Sequence, residues 1–512
     1  MPWKWLIVIA IAALAIRLTA AYIQPPFIDE GHVYYVTKAG WHQLITELKI
    51  DVHPPTYNAL IYPLVQATSS IFCLRLPSVL LSLPALLLVY LIAIRFANEP
   101  LALGITAVYA LNRAIWITDA QLRSYGALGL AILTVWLGML DMHAGRHPLA
   151  SVLPRSSRWG WSLFALASVL AASFHVLGSV AICTAALFSF CFIGRKRLIA
   201  LLTATVSLIP IASWFAWSRE TAQFQGKNVV YHASWDSYYS MPLSILGCWD
   251  ATSFNDIAQG TAWQTLCADY LPIFYTLANV TLCALFLLGW YLMARERSWE
   301  GHFLGLSAVL PWLALGFADR MGWLTFQARY LVPFCLPFLL LVFRSLQPWG
   351  RRLLLGLILT IGTANCLLFP FFPPMWNQSW QESLDFIKSA QREGDTIAIT
   401  IPSNVYGLAM AYNPEHIRFI FQDNAISNVM IDQDSVPGKL RVMPIDYPMA
   451  SPQLLDYLGS GRLFLIICQP RESTSALLGW LDQYYTVIGT QKTCSMTNWG
   501  SMLVLQLERK QP

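Results

Sequence analysis

Charge is scarce in this chain. Only 12% of its 512 residues are Asp, Glu, Lys or Arg, about half the share typical of water-soluble domains, which excludes a soluble globular protein as a description of the whole. The charge that exists nearly balances, 33 basic against 28 acidic residues for a net +5. Its basic residues are dispersed among short loops, so no nucleic-acid partner is expected. The ten cysteines contain no C-x-x-C pair, which removes the usual sequence sign of a structural zinc or dithiol site. No Gly-rich phosphate loop and no internal repeat are present.

Apolar residues make up 56% of the chain and the mean hydropathy is +0.50. Stretches of about 17–25 apolar residues, long enough to cross a bilayer, recur from residue 5 to residue 372 and then stop. The pattern predicts a multi-pass α-helical membrane protein of about eleven transmembrane helices over residues 1–372, followed by a small extracytoplasmic α/β domain over 373–512. The expected spans are 5–22, 75–96, 100–119, 124–142, 160–177, 178–194, 198–217, 271–293, 303–318, 329–343 and 353–372. Arg17 interrupts the first run and no A-x-A site follows, so that run is read as an uncleaved signal-anchor.

Orientation follows from the positive-inside rule. With the N-terminus cytoplasmic, Arg95, Arg146, Arg155, Arg158, the Arg195–Lys196–Arg197 cluster, Arg295, Arg297, Arg344, Arg351 and Arg352 all fall on the cytoplasmic side of the inner membrane. The segments 23–74, 120–123, 218–270, 319–328 and the tail then face outward. Counting 54–72 as a span would invert every later loop, so this apolar stretch is expected to lie at the interface as a helix started by Pro54 and Pro55. In the tail, WQESLDFIKSAQ reads as an amphipathic helix, TIAITIP and RLFLIICQ as buried strands, and Asn404 to Tyr412 as a helix. Cys248 with Cys267, and Cys468 with Cys494, are candidate disulfides of an oxidising compartment.

The outward segments collect the polar residues. The first carries FIDEGHVYY and then IDVHPPTYNAL, which bring Asp29, Glu30 and His53 next to a span. An Asp in that setting suits a general base, and His53 is held extended by the prolines that follow it. WITDAQLRSYGAL places Asp119, Gln121, Arg123 and Tyr125 in a short turn, and FQARYLVPFCLP begins a span with Arg329 and Tyr330. Each has a plainer reading: a carboxylate capping a helix, an interfacial histidine, an arginine reaching to head groups. Carboxylates, a histidine and arginines from distant parts of the chain on one membrane face form the pattern of an active site. A flippase for lipid-linked sugars would use the same setting, with its polar groups nearer the bilayer midplane. A non-catalytic assembly or sensor protein that binds partners through its tail is a further alternative.

DEGH followed by DVHPP, then LRLPSVL at 74–80, QLRSY at 121–125 and ARYLVPFCLP at 328–337 resembles, in order and spacing, the GT-C superfamily of glycosyltransferases. The likeness is to the branch of protein O-mannosyltransferases and aminoarabinose lipid A transferases. The resemblance implies a GT-C fold and inverting transfer of a sugar, mannose or another hexose or pentose, from a polyprenyl-phosphate donor to a glycan, lipid or protein acceptor at the outer face of the membrane. It matches Asp29 to the catalytic Asp of the first outer loop; from the residues themselves Glu30 is expected beside it as a catalytic group, and His53, Asp119, Gln121, Arg123, Tyr125, Arg329 and Tyr330 as substrate-binding residues. Relatives often carry Glu where this chain has Gln121, which leaves the acceptor and a divalent metal requirement open; no residue is assigned to a metal.

Overall fold

The computed structural model describes residues 2–24, 26–48, 54–144, 157–192, 197–217, 264–296, 298–321, 328–347, 380–392, 394–399, 404–412, 417–421, 429–433, 439–442, 461–468, 472–493 and 502–510, with the isolated positions 242, 356 and 360. The N-terminal part is helical. Its elements are α1 (Pro2–Ile23), α2 (Ile28–Lys38), α3 (Trp41–Leu48), α4 (Thr56–Ala67), α5 (Ile71–Phe96), α6 (Glu99–Leu111), α7 (Arg113–Asp119), α8 (Tyr125–Ala144), α9 (Ser157–Phe174) and α10 (Val176–Phe192). There follow α11 (Arg197–Ser207), α12 (Ile209–Trp217), α13 (Gln264–Glu296), α14 (Ser298–Arg320), a 3-10 segment (Ala328–Phe334) and α15 (Cys335–Leu346).

Five helical stretches, Trp3–Ile23, Ile71–Phe96, Tyr125–Met142, Thr276–Glu296 and Trp299–Arg320, are long and apolar enough to cross a membrane, and α6 with α7 makes a sixth that is bent by 57°. The chain is a multi-pass membrane protein. Of the roughly eleven spans expected, five or six are met by length and composition among the described residues. Trp159–Phe174, Val176–Phe190, Ala200–Trp214 and Tyr330–Leu346 are shorter apolar helices, and 353–372 lies outside the described residues apart from two isolated positions.

The breaks have local causes. Asn112 leaves the helix with an extended backbone, and its Oδ1 accepts the N–H of Ala114 at 2.9 Å, so it ends α6 and caps α7. His175 Nδ1 accepts the N–H of Leu177 at 3.1 Å and starts α10 in the same way. Pro210, which lacks an N–H, sits in the first turn of α12. The 54–72 stretch forms α4, whose 12 residues rise about 18 Å, too little for a hydrocarbon core of about 30 Å.

Small residues let α8 and α9 cross closely. A Cβ on Gly138 of α8 would lie 2.7 Å from the Phe164 backbone nitrogen, and one on Gly160 of α9 would lie 2.9 Å from that of Met142. The two backbones meet because neither residue has a side chain. Gly138→Leu is therefore expected to lower the melting temperature in detergent through overpacking of about 1–3 kcal/mol or more; an unchanged midpoint would contradict this crossing.

The C-terminal elements are α16 (Trp380–Ala390), β1 (Thr396–Ile399), α17 (Asn404–Tyr412), β2 (Ile417–Phe421), β3 (Val429–Gln433), β4 (Lys439–Val442), β5 (Leu463–Cys468), α18 (Glu472–Tyr484), β6 (Tyr485–Thr493) and β7 (Met502–Arg509). The main sheet runs β4-β1-β5-β7-β6, and β2 pairs with β3 apart from it. β1 is parallel to β4 and β5, whereas β7 is antiparallel to β5 and β6. Alternation along the strands splits the core. Ile397, Ile399, Phe464, Ile466 and Val504 share one cluster, and Leu463, Leu465 and Leu507 pack with Trp480 of α18 in another. Both faces are covered, which is why RLFLIICQ reads as an unbroken apolar run.

The first of these clusters does not stop at the sheet. It continues through Trp380 and Leu408 to Tyr34, Tyr57 and Leu122, and α17 lies directly against α2. The helix that carries Asp29 and Glu30 thus has the membrane bundle on one side and the C-terminal α/β elements on the other. The disulfide candidates reach Cys248 and Cys494, both outside the described residues.

Candidate active site

Asp29 and Glu30 occupy the first turn of α2. Successive helical residues point about 100° apart, so neighbours in sequence face different surroundings. Glu30 turns inward and is fully buried. Its Oε2 accepts the N–H of Phe27 at 2.9 Å, closing the first turn of its own helix. Arg75 of α5 grips the same carboxylate with both arms of its fork, Nε to Oε1 at 2.8 Å and Nη2 to Oε2 at 2.6 Å. A fourth donor, the backbone N–H of Leu122, reaches Oε1 at 2.6 Å.

Arg75 is equally saturated. Its Nη1 donates to the carbonyls of Ala21 and Gln24 at 2.8 and 2.7 Å, satisfying acceptors that the end of α1 leaves open. One ion pair thereby ties together the end of α1, the start of α2, α5 and the turn before α8. Glu30, expected beside Asp29 as a catalytic group, is instead a sealed anchor: four donors hold it and no surface is left for a substrate.

Asp29 faces the other way. Its side chain is 28% exposed, and its Oδ2 lies 2.8 Å from Nη2 of Arg123, whose side chain is 11% exposed. Arg123 belongs to the turn between α7 and α8, in which its own N–H donates to the Gln121 carbonyl at 2.8 Å. The pair is a carboxylate and a guanidinium held at the rim of the bundle where α1 ends and α5 and α8 begin.

Asp119, expected with them, is placed elsewhere. It ends α7 buried, and its Oδ2 accepts from Arg17 Nε at 3.0 Å and lies 2.8 Å from Nη2. Arg17 also donates through Nη1 to the carbonyl of Ala110 at 3.1 Å, an acceptor freed by the break at Asn112. The pair is the internal brace of the bent helix, because a charge in an apolar run must find its partner inside the protein.

Gln121 is buried within the turn, and Tyr125 is buried at the start of α8 with its ring 5.6 Å from that of His175. Tyr330 is half-buried and packs against the main core. His53 and the side chain of Arg329 lie outside what the structure describes; the backbone of Arg329 is in the first turn of the 3-10 segment. The structure thus brings Asp29 and Arg123 together, with Gln121 beside them in the turn. It sets Glu30 and Asp119 apart as buried braces.

Sequence reading assigned no pairing role to Arg75 or Arg17. Arg17 and Arg75 carried a usable signal: an arginine inside an apolar run requires a buried acidic partner. No group of three or more His, Cys, Asp or Glu arranged for a metal occurs among the described residues.

No family model and no curated protein matches the chain. Among solved structures it is similar to ArnT from Cupriavidus metallidurans in the apo state, at 12% identity and a TM-score of 0.46, covering 98% of each chain. The same protein bound to undecaprenyl phosphate gives 12% identity and 0.44 over 98% of each chain. The oligosaccharyltransferase of Archaeoglobus fulgidus in complex with zinc and sulfate gives 12% and 0.48, over 97% of this chain and 72% of that one.

Proposed function

We propose that this chain is an inverting glycosyltransferase that moves a sugar from a polyprenyl phosphate to an acceptor on the extracytoplasmic side of the inner membrane. The observation that carries the reading is the Asp29–Arg123 pair. It stays partly open at the rim, whereas the neighbouring pairs Arg75–Glu30 and Arg17–Asp119 are sealed. The order of the DEGH, DVHPP, QLRSY and ARYLVPFCLP segments, which resembles GT-C enzymes, supports the same reading.

In this reading Asp29 accepts the proton of the acceptor nucleophile as that atom bonds to the anomeric carbon. The bond from that carbon to the phosphate oxygen breaks on the opposite face, so the configuration inverts and the lipid phosphate leaves with one more negative charge. Protonation of Asp29 removes the counter-charge from Arg123 as the leaving group gains charge. The guanidinium is then free to stabilise the departing phosphate. His53, Gln121, Tyr125, Arg329 and Tyr330 are proposed to line the sugar and phosphate positions. The Arg-rich loops on the opposite face give the orientation.

The test is purified protein in lipid with a radiolabelled polyprenyl-phosphate sugar and an envelope extract as acceptor. Label transferred covalently from the lipid is expected. Lipid that crosses the bilayer with its sugar still attached would point to a carrier and overturn the transferase reading.

A further inference from the structure

The turn that carries Arg123 is held from both sides by buried polar side chains. On one side Glu30 Oε1 accepts the N–H of Leu122. On the other, Ser78 of α5 donates from Oγ to the carbonyl of Arg123 at 2.8 Å. That serine has a partner of its own, since the Tyr57 hydroxyl on α4 lies 2.7 Å from Ser78 Oγ. The Ser78 proton is committed to Arg123, so Tyr57 is the donor to the serine and the order is Tyr57 O–H, Ser78 O–H, Arg123 C=O. Tyr57 and Ser78 are both buried, and chains of hydrogen bonds in a dry interior polarise one another.

The packing allows this turn little freedom. A Cβ on Gly126 would fall 2.6 Å from the Ser78 carbonyl oxygen, so the start of α8 rests directly on α5 beside the serine. Burial pushes the Tyr57 phenol far above its usual range, with Glu30 and Arg123 among the charges acting on it, and it stays a donor at every working pH.

We propose that Tyr57 and Ser78 are positioning residues for the transfer reaction, a relay from α4 that fixes the Arg123 backbone and so sets the guanidinium against Asp29. The inference rests on the transferase reading for its kinetic consequence and on the hydrogen bonds alone for its structural one. It makes α4 a support of the site.

The test uses full-length protein in lipid with the variants Tyr57→Phe, Ser78→Ala, Ser78→Cys and Arg123→Ala. Ser78→Ala is expected to lower kcat for the radiolabelled donor about tenfold, the range of one buried hydrogen bond, with Tyr57→Phe losing less. Ser78→Cys, which keeps a weak donor of similar size, is expected to recover part of the loss. In an Arg123→Ala background the Ser78→Ala change should add nothing further. Losses that multiply in the double variant, or a lower melting temperature with unchanged turnover per folded molecule, would overturn the relay.

Hydrogen exchange reads the relay whatever the chemistry. Faster exchange confined to residues 121–124 in Tyr57→Phe and Ser78→Ala is expected, and unchanged exchange there would overturn the inference. A wild type that transfers no sugar, with both variants still showing the faster exchange, would overturn the transferase reading and leave the relay standing.

Discussion

Asp29→Asn is expected to reduce sugar transfer by about two to four orders of magnitude in a protein that folds and inserts normally. The structure separates the two effects. The first turn of α2 is closed by the Glu30 carboxylate on the Phe27 N–H, so removing charge at Asp29 does not uncap the helix. The substitution weakens the ion pair between Arg123 and a 28% exposed carboxylate. Asn keeps the size of the side chain and a carbonyl oxygen for Arg123 but cannot take up the acceptor proton. Turnover by initial rates and melting in detergent, measured on the same preparation, decide the matter. Near-normal transfer by Asp29→Asn sinks the general-base assignment, whatever its melting temperature.

The second large effect is on folding. Arg75→Ala leaves the buried Glu30 carboxylate with only backbone donors and strips the Ala21 and Gln24 carbonyls of theirs. Breaking one partner of a buried pair typically costs about 3–5 kcal/mol, a large part of the roughly 5–15 kcal/mol that holds a domain together. Loss of folded protein in detergent extracts is expected for Arg75→Ala, and a similar loss for Glu30→Ala. Replacing both by apolar residues of similar volume, Arg75→Met with Glu30→Leu, should restore part of the stability because no orphaned charge remains. A monodisperse, wild-type-like Arg75→Ala protein would contradict the anchoring role. Low activity in a Glu30 variant therefore has to be scored against the amount of folded protein before it bears on catalysis.

Much of this protein is legible in one dimension. Membrane residence follows from composition, because a bilayer admits only long apolar runs whose backbone groups bond among themselves. The strand and helix segments of the tail follow from a change in the period of the apolar residues. Polar residues gathered around the first span were visible as well, since each is costly so near lipid. Asp29 was singled out on those grounds, and Arg123 with it.

Other features required the folded chain. Asp29 and Glu30 are adjacent and chemically alike, and no local rule says which turns inward. That depends on Arg75, 45 residues away, and on the Leu122 N–H, 92 residues away. Asp119 was expected in the outer turn with Arg123, but Arg17, 102 residues earlier, claims it, because a guanidinium buried in α1 has to be compensated inside the protein. The division of labour among these carboxylates is a matter of long-range pairing. A sequence reveals which charges must be compensated, and only the packing of distant helices decides which acid compensates each arginine and which is left open to a substrate.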